Sequence, residues 1–242
     1  MLLAAVTAIP LSHLAIGFLP VIVVIAIHYY WSLDGQMALY AVARMLAQLL
    51  LIGYVLVYVF DAGQPGIVIA VLGVMLAVAS WISLRAVGSR QKSLYPRAFA
   101  AIALGGVSTL VLVTQAVLQV DPWFKPQTVI PLAGMIFASS MNTVSLAAER
   151  LGAETTGQTP YLDARRIAFR TSLIPTTNQL FAVGLVSLPG MMTGQILAGE
   201  APHIAARYQI MVMCMLFGSA GISSACYLVL AKPSVSDAPL ER

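Results

Sequence analysis

Apolar runs of helical span length, separated by short polar clusters, recur along the whole chain. A transmembrane helix needs about 20 apolar residues, so the pattern predicts about seven spans, at 7–28, 37–60, 66–84, 98–119, 127–148, 172–199 and 207–231. Trp31, Asp34 and Gly35 punctuate the first connection, and Asp61, Gly63, Pro65 and Gly66 the second. Arg85, Arg90, Lys92 and Arg97 fill the third. The fourth holds Asp121, Pro122, Trp123, Lys125 and Pro126, with the Trp at an expected interface. The fifth, about 149–170, is the longest, and the sixth holds Gly199, Glu200, Pro202, His203 and Arg207. The expected fold is an all-α integral membrane protein, one transmembrane domain over 1–231 followed by a short cytoplasmic tail at 232–242.

Composition excludes the soluble alternatives. Sixty per cent of the 242 residues are hydrophobic and 9% are charged, against about 25% charged in a soluble domain. Seven spans leave almost no chain for an extramembrane domain, so a large soluble activity must come from another polypeptide. The formal net charge of +4 forms no long basic run and no aromatic-interleaved patch, and nucleic acid is not an expected partner. Ten of the 13 Lys and Arg residues fall in the third and fifth connections and the tail. Positive-inside bias therefore puts the N-terminus outside and the C-terminus in the cytoplasm of a multi-pass inner (plasma) membrane protein. No Lys or Arg precedes Arg44, so the first apolar run reads as a retained span. Cys214 and Cys226, on one helix, lie about 18 Å apart, too far for a disulfide.

The chemistry begins with two absences. No Asp or Glu lies well inside an expected span, whereas ion-driven carriers use buried carboxylates for the coupling ion. No G-x-x-x-x-G-K-[ST] phosphate loop is present either. The chain is thus not expected to be an enzyme or to bind a cofactor, and a separate ATPase carrying ATP and Mg would reconcile both absences.

Polar residues within the spans are the candidate pathway. Arg44 shares a helix face with Gln48 and either faces the bundle interior or snorkels to the interface. Met135, Ser139, Asn142 and Ser145 recur at helical spacing on the fifth span, fit for lining a route or for packing against a neighbour. The sixth span carries Pro175, Asn178 and Gln179, then a second interruption at Pro189-Gly190-Met191-Met192. Broken helices free backbone groups that protein or cavity water must satisfy. Met191, Met192, Met211, Met213 and Met215 suit gap filling better than soft-metal binding, and His13, His28 and His203 show no ligand spacing. No metal ligand set is read from the residues.

In the fifth connection, Thr159 and Pro160 resemble an N-cap and first helical residue. They open a short amphipathic helix through Tyr161, Leu162, Asp163, Arg165, Arg166 and Arg170, placed to dock on a partner or to rest on membrane lipid.

The segments Ile130-Pro-Leu-Ala-Gly-Met-Ile136, Ala182 to Gly199 and Arg207-Tyr-Gln-Ile-Met-Val-Met213 resemble the bacterial iron-export ABC permease family (FetB-type), which is related to plant aluminium-tolerance half-transporter permeases. The resemblance runs from about Arg44 to Leu230 and is most specific in the second half. It implies an export permease paired with a separate ATPase, two copies of each, with a coupling helix in the 149–170 connection. Iron as cargo rests on that resemblance. The alternatives are a permease for another solute, such as a nucleotide sugar, and a non-transporting membrane scaffold or assembly factor.

Overall fold

A computed structural model describes residues 10–33 and 35–232, and their regular secondary structure is helical. Of the expected tail at 232–242, residues 233–242 lie outside the described residues. The chain separates into two compact units, Met1–Ala62 and Gly63–Arg242.

In the first unit, α1 (Leu11–Ile16), α2 (Leu19–Tyr30) and α3 (Gly35–Ala62) expose most of their apolar side chains. That suits helices whose solvent is hydrocarbon. The α2–α3 turn is tight: a Cβ on Gly35 would lie 2.8 Å from the Tyr29 ring.

The second unit holds the packed bundle. It comprises α4 (Pro65–Ser83), α5 (Gln91–Ile102), α6 (Ser108–Val111), α7 (Pro126–Thr156), α8 (Tyr161–Ala182), α9 (Gly190–Leu197) and α10 (Pro202–Leu230). A 3-10 stretch, Arg85–Arg90, joins α4 to α5, kinked at Gly88 with φ 56°, a backbone state that glycine tolerates. The rod Gln91–Val117 is continuous but widens into π-helix at Ala103–Val107 and Leu112–Val117.

Six helical stretches among the described residues are long and apolar enough to cross a membrane: Ser12–Tyr30, Gly35–Asp61, Pro65–Ser83, Gln91–Val117, Pro126–Thr156 and Pro202–Leu230. The region expected as a single span at 172–199 is instead two helices. The first, α8, ends at Ala182; the second, α9, starts at Gly190. Nothing stops a helix at 171, so Tyr161–Arg170 form the first turns of α8 and not a separate amphipathic helix. Likewise α7 runs on to Thr156, because Ala, Glu, Arg and Leu favour helix once it has started. The long connection expected at 149–170 therefore contracts to the turn 157–160. At 31 residues, α7 is about 46 Å long, well beyond the roughly 30 Å of hydrocarbon.

Within a bilayer, apolar burial drives little helix association, and close packing with interhelical hydrogen bonds takes over. The second unit follows that rule. Helix α7 packs against α10, α8 and α4, while α10 also meets α5 and the first π segment. Small hydroxyl residues sit at the crossings: Ser223 Oγ donates to Ser140 Oγ at 3.1 Å, Ser172 and Ser224 hydroxyls meet at 2.9 Å, and Ser139 Oγ donates to the Leu216 carbonyl at 3.2 Å. The π turn at Gly105 and Gly106 brings the backbone of the Gln91–Val117 rod close to Ser223 on α10 and the Phe137 ring on α7.

Candidate functional site

Polar residues of α7 face a broken antiparallel neighbour. Going from the Thr156 end of α7 toward Pro126, three adjoining cavities follow one another. The first, about 230 Å³, is lined by Asn142, Ser139, Ser172, Thr176 and Gln179 among others. The second, about 290 Å³, joins Met135 and Gln179 to Pro189, Met191, Gln209 and Met213. The third, about 640 Å³, joins Met135, Thr128 and Lys125 to Met191, Gln195 and Met211. Along this sequence the facing residues rise in number from Ser172 through Gln179 to Gln195. The α8–break–α9 segment thus runs antiparallel to α7, with Met135 common to all three cavities.

The break at 183–189 satisfies part of its own backbone. Gly184, at φ 83°, donates its N–H to the Ser187 carbonyl at 3.0 Å, and Val186 N–H donates to Ala182 at 2.8 Å. Pro189 then serves as the N-cap residue of α9. Pro175, expected as an interruption, lies inside a continuous α8.

The structure brings Met135, Ser139, Asn142, Gln179, Pro189 and Met191 together along this groove. Asn178 and Met192 line none of the three cavities. Arg44, half-buried, and exposed Gln48 lie on α3 in the other unit, about two and a half turns or more past its start. Ser139 is partly consumed in packing through its bond to Leu216 and also lines the first cavity.

Two groove residues escaped sequence reasoning. Gln209, only 5% exposed, and Gln195 both have a buried amide Oε1 with no hydrogen-bond partner. An unpaired buried amide costs about 1–3 kcal/mol or more. Both stand as polar residues within expected spans, the signal available in the sequence.

At the far end of α7 the geometry differs from expectation. Thr159 is not the N-cap: Pro160 occupies that position with no side-chain cap, and the Thr159 hydroxyl donates to Glu154 Oε2 at 3.0 Å. Arg150 pairs with Glu154, and Arg166 with Asp163 at 3.3 Å. Tyr161 is held internally, its hydroxyl donating to the Leu228 carbonyl and Lys232 Nζ lying 6.0 Å from its ring centre. Burial raises the Tyr161 phenol above its ordinary pKa, with Arg165 opposing, so it stays a donor at neutral pH. Leu162 points outward, 56% exposed. Arg165, Arg166 and Phe169 flank an apolar cavity of about 370 Å³ against Leu228 and Val229 of α10.

These features define a multi-pass α-helical membrane protein with a polar groove beside a broken helix. The chain belongs to the uncharacterised protein family UPF0014, which matches residues 11–235. It is 40% identical over 200 residues to the "UPF0014 membrane protein slr1647" of Synechocystis, covering 76% of this chain and 77% of that one. It is 33% identical over 240 residues to the "Probable iron export permease protein FetB" of Escherichia coli, covering 91% of each. With the "Protein ALUMINUM SENSITIVE 3" of Arabidopsis thaliana the identity is 32% over 218 residues, 84% of this chain and 78% of that protein. No solved structure matches the chain.

Proposed function

We propose that the chain is the permease subunit of an ATP-driven exporter of the inner (plasma) membrane, moving a metal ion out of the cytoplasm. A separate ABC ATPase subunit binds ATP and Mg, and two copies of each subunit make the complex. The observation that carries the reading is the groove of three adjoining cavities between α7 and the broken α8–α9 segment. Polar groups in hydrocarbon are costly, and in transporters they gather with broken helices around the translocated species. The Escherichia coli relative's name supports a metal cargo and the direction of transport.

Energy comes from the partner in this reading, because the first two cavities of the groove hold no carboxylate to couple a proton or sodium gradient, and the third has only Asp121, exposed in the connection before α7. The turn 157–160 and the first turn of α8 face the cytoplasm and meet the ATPase, with the N-terminus outside. Leu162, Asp163, Arg165 and Arg166 form the contact, and Tyr161 fixes its position against α10.

Reconstitution with the cognate ATPase, sought as a phosphate-loop protein encoded beside this chain, tests the proposal. The complex is expected to move iron or another metal ion across liposomes only with ATP. Asn142→Leu and Gln179→Leu are expected to assemble normally but to lower transport about tenfold, the removal of roughly 1.4 kcal/mol of stabilisation. Normal transport by both variants would remove the groove from the route, and metal-independent, ATP-independent behaviour of the wild type would remove the exporter reading.

A further inference from the structure

We infer that the middle cavity of the groove is a binding site for a soft monovalent cation, Cu(I) or its analogue Ag(I), held by Met135, Met191 and Gln209. This names a cargo class for the route proposed above and rests on that reading. Three helices supply the donors: α7 carries Met135, α9 carries Met191 and α10 carries Gln209, and all three line the same cavity of about 290 Å³. Met213, 8% exposed, lines it as well.

The argument turns on donor chemistry. Gln209 is more than nine-tenths buried, and its amide Oε1 has no hydrogen-bond partner. An unpaired acceptor in that position calls for a cation or a donor group. The remaining metal-capable side-chain atoms lining the cavity are neutral thioethers, the Gln179 amide and the Ser187 hydroxyl, with no Asp, Glu, His or Cys. Among the described residues no three His, Cys, Asp or Glu are grouped to hold an ion. A hard divalent ion would shed its hydration shell here without gaining a charged ligand, a poor exchange in a low-dielectric site. Thioethers instead select Cu(I), a singly charged ion with a smaller dehydration cost. Burial also separates the methionines by role. Met215 is 2% exposed and lines none of the three groove cavities, so it fills space in the packed bundle.

The test uses the full chain purified with its ATPase, with Cys214 and Cys226 changed to Ser so that thiols cannot contribute. Cu(I) binding is titrated anaerobically against a chromophoric chelator, and X-ray absorption reads the ligand atoms. One Cu(I) per chain with sulfur neighbours is expected. Met135→Leu with Met191→Leu together, volume-conserving changes, and separately Gln209→Leu, are expected to weaken binding at least about tenfold, since even outer-shell losses cost that much at metal sites. Met215→Leu is expected to leave it unchanged. Binding unaffected by the first two variants, absence of a stoichiometric site, or equal affinity for Fe(II) at the same residues overturns the inference. If Cu(I) fails to bind while Gln179→Leu still impairs transport, only the cargo class falls. If Cu(I) binds but Asn142→Leu and Gln179→Leu both transport normally, the route falls.

Discussion

Gly105→Ala is expected to lower the thermal midpoint of the purified protein by about 5–10 °C, and Gly105→Val to prevent recovery of folded protein. A Cβ at position 105 would lie 2.3 Å from Ser223 Oγ, 2.7 Å from the Ser223 backbone nitrogen and 3.1 Å from the Ser219 carbonyl oxygen. Two of those three obstacles are backbone, which no rotamer change can move aside. Overpacking of this kind costs about 1–3 kcal/mol, and for a chain of this size each kcal/mol moves the midpoint by about 2–4 °C. The seam matters more than in a soluble protein, because hydrocarbon supplies no hydrophobic drive to hold α10 against the Gln91–Val117 rod. Gly73→Ala is the control: no atom lies within 4 Å of its added Cβ. Equal midpoints for the two alanine variants in detergent would show that the seam is not close-packed.

The second large effect concerns the partner. Leu162→Glu is expected to reduce co-purification of the ATPase about tenfold or more while leaving the thermal midpoint of the isolated chain unchanged. Leu162 is mostly exposed beside the 157–160 turn, and a carboxylate there places an unpaired charge in any apolar contact, a cost of several kcal/mol when desolvated. Tyr161→Ala is a poorer probe. It removes the bond to the Leu228 carbonyl and the contact with Lys232, so it disturbs α8–α10 packing as well as any interface. If Leu162→Glu assembles as the wild type does, the docking surface lies elsewhere, and the Arg85–Arg90 stretch becomes the next place to search.

The apolar spans were legible because each is close to or above the length a bilayer requires. Their ends were less so. Charges at Glu149, Arg150, Arg165 and Arg166 suggested a long connection, but charged residues with high helix propensity extend α7 and α8 without breaking them. The π turns at Ala103–Val107 and Leu112–Val117 left no mark on a run whose few polar residues are too sparse to register a change of pitch. Gly105 was visible as a glycine, but its need for that residue depends on Ser223, which is remote in sequence and on another helix.

Much of the groove could be read from polar residues within apolar spans: Asn142 stood out on Met135's stripe, and Gln179 in the polar run that follows Pro175. Asn178, next to Gln179, points away from the three cavities, a distinction that needs the helix phase of α8. The same logic would have reached Gln209 and Gln195 had they been weighed as lone amides. What no sequence pattern could supply is that their oxygens lack partners, because that depends on every neighbour that fails to reach them.

Water access to the groove tests the central claim most directly. Single cysteines at Asn142, Gln179 and Met191, on a background without Cys214 and Cys226, are exposed in intact membranes to a membrane-impermeant thiol reagent, with Leu104 and Ile222 as outward apolar controls. A translocation route predicts labelling at the three groove positions in the presence of the ATPase and nucleotide, and none at the controls. Three groove positions as inert as Leu104 and Ile222 throughout the ATP cycle would mean a dry, static packing interface, and no route between α7 and the broken α8–α9 segment.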